Sequence, residues 1–124
     1  MSCIADNFVK WRDSDKNMVY TDFDGYIIDC NNSWLETCGF RREDVINKKN
    51  SILQGILTES DVVEEINRGV KMRNVVDVIV TNFKKNGMPF KNRLTITPLA
   101  DGFLAEVEDM GPSDYEIEYN KRIF

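Results

Sequence analysis

The stretch Val75-Val-Asp-Val-Ile-Val-Thr-Asn-Phe-Lys84, then Lys85-Asn-Gly-Met88, then Pro89-Phe-Lys-Asn-Arg-Leu-Thr-Ile-Thr-Pro98 decides the class of fold. Both arms are rich in β-branched and aromatic residues, which pack well on a pleated surface. The Asn86-Gly87 pair between them supplies the positive φ angles that a hairpin turn requires. Asp24-Gly25 and Asp101-Gly102 repeat this signal, each between runs of Val, Ile, Thr, Tyr or Phe. Five strands follow: residues 18–22 paired with 26–30, residues 75–84 paired with 89–98, and the latter paired with 103–108.

Strand alternation assigns the faces. Val76, Val78, Val80 and Asn82 share one side of the third strand, and Phe90, Asn92, Leu94 and Ile96 share one side of the fourth. Phe103, Ala105 and Val107 face inward from the fifth. Asn82 and Asn92 therefore point into an apolar face. They become cross-strand neighbours if the loop between them has an odd length, such as a three-residue loop with Gly87 left-handed. A buried amide without a partner costs about 1–3 kcal/mol. A bound molecule would satisfy both amides; so would each other, Gln54 or ordered water. Val75, Asp77, Ile79, Thr81 and Phe83 occupy the opposite side. Ile79 and Phe83 are apolar where solvent favours polar side chains, so a flank, a partner or a second copy is expected to cover them.

Between the second and third strands the periodicity changes. Asn32 is suited to cap a short helix through Trp34, Leu35 and Thr37, which Gly39 ends. Residues 42–46 read as one helical turn with acids near its start. Thr58 is a suitable N-cap for a longer helix, in which Val62, Val63, Ile66 and Val70 recur at helical spacing. Two strands, several helices and three strands make an α+β chain with a five-stranded antiparallel sheet. Its domain is expected over residues 17–110. Residues 1–16 are expected to form an N-terminal flanking helix or arm with Ile4, Phe8 and Trp11 on one stripe. Gly111-Pro112 is expected to break the chain, leaving 111–124 as a linker. There Tyr115, Tyr119 and Ile123 share a face if helical; Tyr115, Ile117 and Tyr119 share one if extended.

Composition narrows the function. The 124 residues suffice for one core, and 42% hydrophobic with 30% charged residues is ordinary for a globular chain. A net charge of −5 opposes non-specific nucleic-acid binding. No apolar run approaches the roughly 18 residues of a membrane span, and no basic-then-apolar leader opens the sequence. Cys3, Cys30 and Cys38, without a CxxC pair, fit a reducing, cytoplasmic setting better than a disulfide framework or zinc site. Histidine is absent, which removes Ser-His-Asp triads, His-ligated haem, His-based zinc centres and a histidine pH switch. Asp22-Phe-Asp-Gly25 offers the DxDG of certain phosphatases and the opening of a calcium loop. Tyr26 stands where the calcium loop needs its fifth-position ligand. The hairpins oppose the parallel sheet a phosphatase would need, so a plain turn remains. With no metal cluster and no nucleophile motif, the chain alone is not expected to be an enzyme.

Tyr20-Thr-Asp22, Asn32-Ser-Trp-Leu35 and Cys38-Gly-Phe-Arg-Arg-Glu-Asp-Val-Ile46 occur in an order and spacing that resembles the PAS family over residues 19–109. Asn47-Lys-Lys-Asn-Ser-Ile-Leu-Gln-Gly55, followed by Thr58-Glu-Ser-Asp61, resembles the flavin-binding LOV branch, whose motif reads Gly-Arg-Asn-Cys-Arg-Phe-Leu-Gln-Gly. Asn82 and Asn92 fall where LOV domains set two asparagines on the flavin ring. The resemblance implies a PAS fold and makes Asn82, Asn92, Gln54 and Asn50 candidate ligand contacts.

The departures from the LOV pattern are specific. Asn50 stands at the reactive cysteine position, and Lys49 replaces the asparagine before it. Ser51 and Asn67 stand where LOV domains commonly use arginines to hold the flavin phosphate. The late flavin-sensing glutamine falls on Val107 or Glu108. An amide cannot form the light-driven thiol adduct. Without bidentate arginine contacts, phosphate anchoring is left to Lys48 or Lys49. FMN or another small molecule is therefore a secondary expectation for a degenerate LOV-like domain.

PAS domains usually sit beside a kinase, cyclase, phosphodiesterase or transcription factor, and metabolic kinases such as phosphoglycerate kinase also carry them. The resemblance implies a sensory or regulatory module controlling an effector in cis, or mediating homodimerisation through its flanks and sheet face. Phe8, Trp11, Ile79, Phe83, Tyr115 and Tyr119 are the expected interface residues. The alternative is a small-molecule receptor using the pocket around Asn82 and Asn92. Neither a nucleic-acid nor a membrane partner is expected.

Overall fold

A computed structural model describes residues 3–4, 11–12 and 14–112. The elements run β1 (Asn17–Thr21), β2 (Ile27–Cys30), α1 (Asn32–Cys38), α2 (Arg42–Val45), a 3-10 turn (Asn50–Leu53), α3 (Ser60–Lys71), β3 (Val76–Phe83), β4 (Pro89–Pro98) and β5 (Phe103–Pro112). The strands form one antiparallel sheet in the order β2-β1-β5-β4-β3. The expected α+β class, with helices between the second and third strands, is what the chain adopts. The first hairpin and the last three strands join where β1 pairs with β5, Val19 opposite Ala105.

The turns follow from their residues. Oδ1 of Asp22 accepts from the backbone N–H groups of Asp24 and Tyr26, each at 2.9 Å, and Gly25 takes φ +88°. Asp22 is thus consumed by a plain turn. Among the described residues no group of three or more metal-ligating side chains occurs. Gly102 answers a different need: a Cβ there would lie 2.0 Å from the carbonyl oxygen of Thr21.

Three local expectations are corrected. The cap of α1 is Asn31, not Asn32: Oδ1 of Asn31 accepts from the N–H of Trp34 and from that of Met18, both at 3.0 Å. Its Nδ2 donates to the carbonyls of Trp11 at 3.2 Å and Lys16 at 2.6 Å. Asn31 wins because one buried amide ties the helix start to β1 and to the preceding segment. Thr58 does not cap α3, whose flanking residue is Glu59; its hydroxyl is spent on β3 instead. Gly111-Pro112 does not stop β5, which continues to pair Pro112 with Phe90. A register shift between Phe90 and Asn92 and a φ of +103° at Gly111 absorb the irregularity, and Pro112 comes last, where its missing N–H costs no interior bond.

The main core lies between the inner sheet face and the helices. It contains Val19, Ile27, Trp34, Val45, Leu53, Ile66, Val80 and Phe90 together with Cys30 and Cys38. Burial pushes the Cys30 thiol up to about 11 and the Cys38 thiol up to about 12, so both are neutral packing groups. A second cluster covers part of the outer face. Ile4 and Trp11 pack with Tyr20 and Leu99, and the Trp11 and Tyr20 rings lie 4.6 Å apart.

Candidate ligand pocket

Alternation along β3 and β4 brings polar groups into the apolar interior. Val76, Val78, Val80 and Asn82 are buried on β3, as are Phe90, Asn92, Leu94 and Ile96 on β4. The connecting loop occupies residues 84–88, an odd number as the parity requires, with Gly87 at φ +88°. Asn82 stands opposite Phe90 and Asn92 opposite Val80, so the two amides are diagonal neighbours. Nδ2 of Asn92 donates to Oδ1 of Asn82 at 2.7 Å.

The direction of that bond is fixed by a third group. Nδ2 of Asn82 faces the Thr81 carbonyl at 3.3 Å, and a carbonyl only accepts. Oδ1 of Asn82 must then meet the amino group of Asn92, which leaves Oδ1 of Asn92 buried without a partner.

Asn92 is among the residues around a cavity of about 370 Å³ between sheet and helices. The size suits a small organic molecule. The sheet contributes Val80, Asn82, Asn92, Leu94, Ala105 and Val107. The 3-10 turn and the residue after it contribute Asn50, Ser51, Leu53 and Gln54, and α3 contributes Ile66 and Asn67. Phe23 and Phe103 complete the apolar part, meeting edge to face at 5.5 Å, with the Arg73 guanidinium 3.9 Å over the Phe23 ring. All four candidate ligand contacts therefore border one space.

Asn50 is held there by the backbone. Its N–H donates to the Gly25 carbonyl at 3.0 Å, while Ile27 donates to Lys48 and Asn47 donates to Ile27. These bonds lay residues 47–50 along the outer edge of β2. Oδ1 of Asn50 is buried and, like that of Asn92, without a partner. Gln54 stays exposed and does not join the Asn82–Asn92 pair. Among the lining residues Lys49 is the one cation, and none is a cysteine.

A polar path leads outward from the amides. The Thr81 carbonyl that faces Asn82 also accepts from the Thr58 hydroxyl at 2.7 Å, and that hydroxyl accepts from the Gly55 N–H at 2.9 Å. Glu59 takes the Thr81 N–H at 2.8 Å and its hydroxyl at 2.9 Å. These contacts clip the segment after the 3-10 turn onto the β3 edge. Gly55 permits the approach, since a Cβ there would lie 2.5 Å from the Phe83 ring. Sequence reasoning missed Thr58, Glu59 and Thr81, because nothing local marks a side chain that serves a strand about 22 residues away.

The expected interface residues separate. Trp11 is buried against the chain's own sheet, Phe83 is half-covered by the Gly55 segment, and Ile79 remains 54% exposed. Phe8, Tyr115 and Tyr119 lie outside the described residues.

The PAS domain family model matches residues 15–109, and the chain belongs to that family. It is 28% identical over 104 residues to a blue-light photoreceptor of Listeria innocua, an alignment covering 79% of this chain and 41% of that protein. It is 34% identical over 76 residues to a blue-light-activated histidine kinase of Brucella anthropi, covering 61% of this chain and 16% of that one. The chain thus spans less than half the length of these relatives. Among solved structures, the LOV domain of an Erythrobacter litoralis blue-light activated histidine kinase superposes with a TM-score of 0.75 at 23% identity, covering 77% of this chain and 96% of that one. The PAS domain of the fruit-fly ELK potassium channel gives 0.79 at 22%, covering 88% and 98%. The resemblance to the LOV branch is borne out by these relatives. The channel domain shows that the same fold also serves in a protein of another kind.

Proposed function

We propose that this chain is the sensory or regulatory module of a larger protein, acting on an effector in the same polypeptide without cysteine-adduct photochemistry. The observation that carries this reading is the cavity wall at Asn50, which contributes an amide where the LOV motif has its thiol, with no cysteine among the lining residues. Histidine kinases among the relatives support a kinase as the effector in cis. A cytoplasmic setting accords with the buried, unpaired thiols. The exposed Ile79 supports a further contact with a flank, an effector or a second copy. The test is the effector activity of the full-length gene product, with and without this domain, in darkness and under blue light. A change that follows the domain and ignores light is expected. A light-dependent thiol–flavin adduct in the absorption spectrum overturns the proposal.

A second reading makes the domain a small-molecule receptor. It is favoured by the two orphaned oxygens of Asn50 and Asn92, residues that border one cavity, since each costs about 1–3 kcal/mol unless something donates to it. Absorption spectroscopy and native mass spectrometry of the purified protein test it. A bound small molecule is expected, and its loss in Asn92→Leu would tie it to this wall. A purified protein with no associated molecule that also fails to take up flavin counts against the reading.

A further inference from the structure

We infer that Asn86, at the tip of the β3–β4 hairpin, is a self-modifying site: it converts without an enzyme to aspartate and isoaspartate, through a cyclic imide with the Gly87 peptide nitrogen. Of the asparagines in the sequence it alone precedes a glycine. A side chain on the following residue shields the attacking nitrogen, and glycine has none. The fold leaves that nitrogen open. Asn86 and Gly87 are both exposed, and a Cβ built on Gly87 would meet nothing within 4 Å.

The turn also prepares the carbonyl. Oδ1 of Asn86 accepts from the N–H of Met88 at 3.0 Å, a bond that spans Gly87 and folds the carboxamide over its peptide nitrogen. The same N–H is a donor placed where negative charge develops on Oδ1 when the nitrogen adds. One contact opposes the reaction. The Gly87 N–H donates to the Lys84 carbonyl at 2.9 Å and must first be released. This is a single bond at an exposed tip, and breaking it slows the reaction by about tenfold at most. Asn82 and Asn92 have the contrary setting, buried on regular strands with one carboxamide bonded to the other.

The chemistry needs only water and hydroxide. Hydroxide removes the Gly87 amide proton, and the nitrogen attacks Cγ of Asn86. The Cγ–Nδ2 bond breaks, and Nδ2 leaves as ammonia, taking a proton from water and regenerating hydroxide. Water then opens the imide. Opening at Cγ gives aspartate; opening at the main-chain carbonyl gives isoaspartate, whose main chain is one methylene longer. One water is consumed, one ammonia is released, and the net charge falls one unit below −5.

The experiment incubates the purified chain, folded and in guanidinium chloride, from neutral to mildly alkaline pH. Intact mass, peptide mapping and isoaspartyl methyltransferase labelling follow the products. In the folded chain Asn86 is expected to convert about tenfold or more faster than any other asparagine. Its rate should lie within about tenfold of the unfolded rate, rise with hydroxide and yield isoaspartate. Asn86→Gln, which would need a larger imide ring, should abolish the product. Another asparagine converting first, a folded rate below that bound, or aspartate as the sole product overturns the inference. The wild-type comparison is decisive even if the variant fails to fold.

Discussion

Asn92 donates to Asn82 across 2.7 Å between strands whose direct register sets Asn82 against Phe90 and Asn92 against Val80. The amides meet diagonally, and each depends on the other for burial. Replacing Asn82 with Leu removes the only acceptor described for the amino group of Asn92. We predict a loss of about 1–3 kcal/mol in urea denaturation of the ligand-free protein. The double variant Asn82→Leu/Asn92→Leu should be less destabilised than the sum of the single changes. Additive losses would mean the pair is not a unit.

The grip of Glu59 on Thr81 gives an edge-strand test. Glu59→Ala frees the Thr81 N–H and hydroxyl, and the Thr81 amide should then exchange with solvent markedly faster, with a stability loss of about 1 kcal/mol. Glu59→Gln keeps one acceptor and should fall between. Unchanged exchange at Thr81 would show that the clip does not hold the edge.

Two glycines rank by what they would strike. Gly102→Ala drives a Cβ into the Thr21 backbone, which cannot yield without moving β1, so a loss above about 3 kcal/mol is expected. Gly55→Ala meets only the Phe83 ring, and adding Phe83→Ala should recover part of its cost. Thermal unfolding of the three variants orders them, and an equal cost at both glycines would refute the distinction.

Asn31 should be among the costliest polar side chains to remove. Asn31→Ala loses the α1 cap together with bonds to Met18, Lys16 and Trp11, so a loss of at least about 2 kcal/mol is expected. Asn31→Asp keeps the acceptor bonds but not the donor ones. It should retain α1 while loosening the segment at Trp11, seen as increased near-ultraviolet signal change and exposure of that indole.

The pH dependence has a definite sign on each side. The Cys30 and Cys38 thiols rise from an ordinary 9.0 to about 11 and about 12, chiefly through burial. Their contribution is complete below the unfolded value. It is lost as pH climbs from there through the folded values, because the unfolded chain releases protons that the folded chain keeps. Asp44 and Asp77 are shifted down, first by hydrogen bonds from Lys85 and Arg93. Their contribution is present above the unfolded carboxylate range and fades as acid carries the pH through the folded one. Without histidine, the denaturation midpoint should be level near about pH 6.5, where an imidazole would titrate. A step there contradicts the scheme, and Cys38→Ala should flatten the alkaline limb.

The sheet was legible because its signals are local. Asn86-Gly87 and Asp24-Gly25 mark turns with their own φ requirements, Asp101-Gly102 marks a turn whose glycine takes no positive φ but admits the close Thr21 carbonyl, and the parity of Val76 to Asn82 fixes a face without knowledge of the partner strand. The pocket was legible through the same parity, since polar residues in an apolar row must face whatever that row encloses. Asn31, Thr58 and Glu59 were not legible as they are used. Each is a generic capping or helix-start residue whose partner is chosen by tertiary approach: Met18 and Lys16 for Asn31, Thr81 for the other two. The continuation of β5 through Gly111-Pro112 was hidden for a related reason. Punctuating residues are read as stops, whereas a bulge beside a long neighbour lets the ladder run on.

Residues 47–50 lie along β2, and Thr58 with Glu59 clips β3 at Thr81. Runaway polymerisation by strand addition needs an open row of backbone groups at a sheet margin. Here one margin is occupied by the chain itself and the other is interrupted near its end. A neighbour seeking to extend the sheet beyond β2 must first strip away the segment that carries Asn50, so at that margin misassembly by edge growth and disruption of the pocket are the same event.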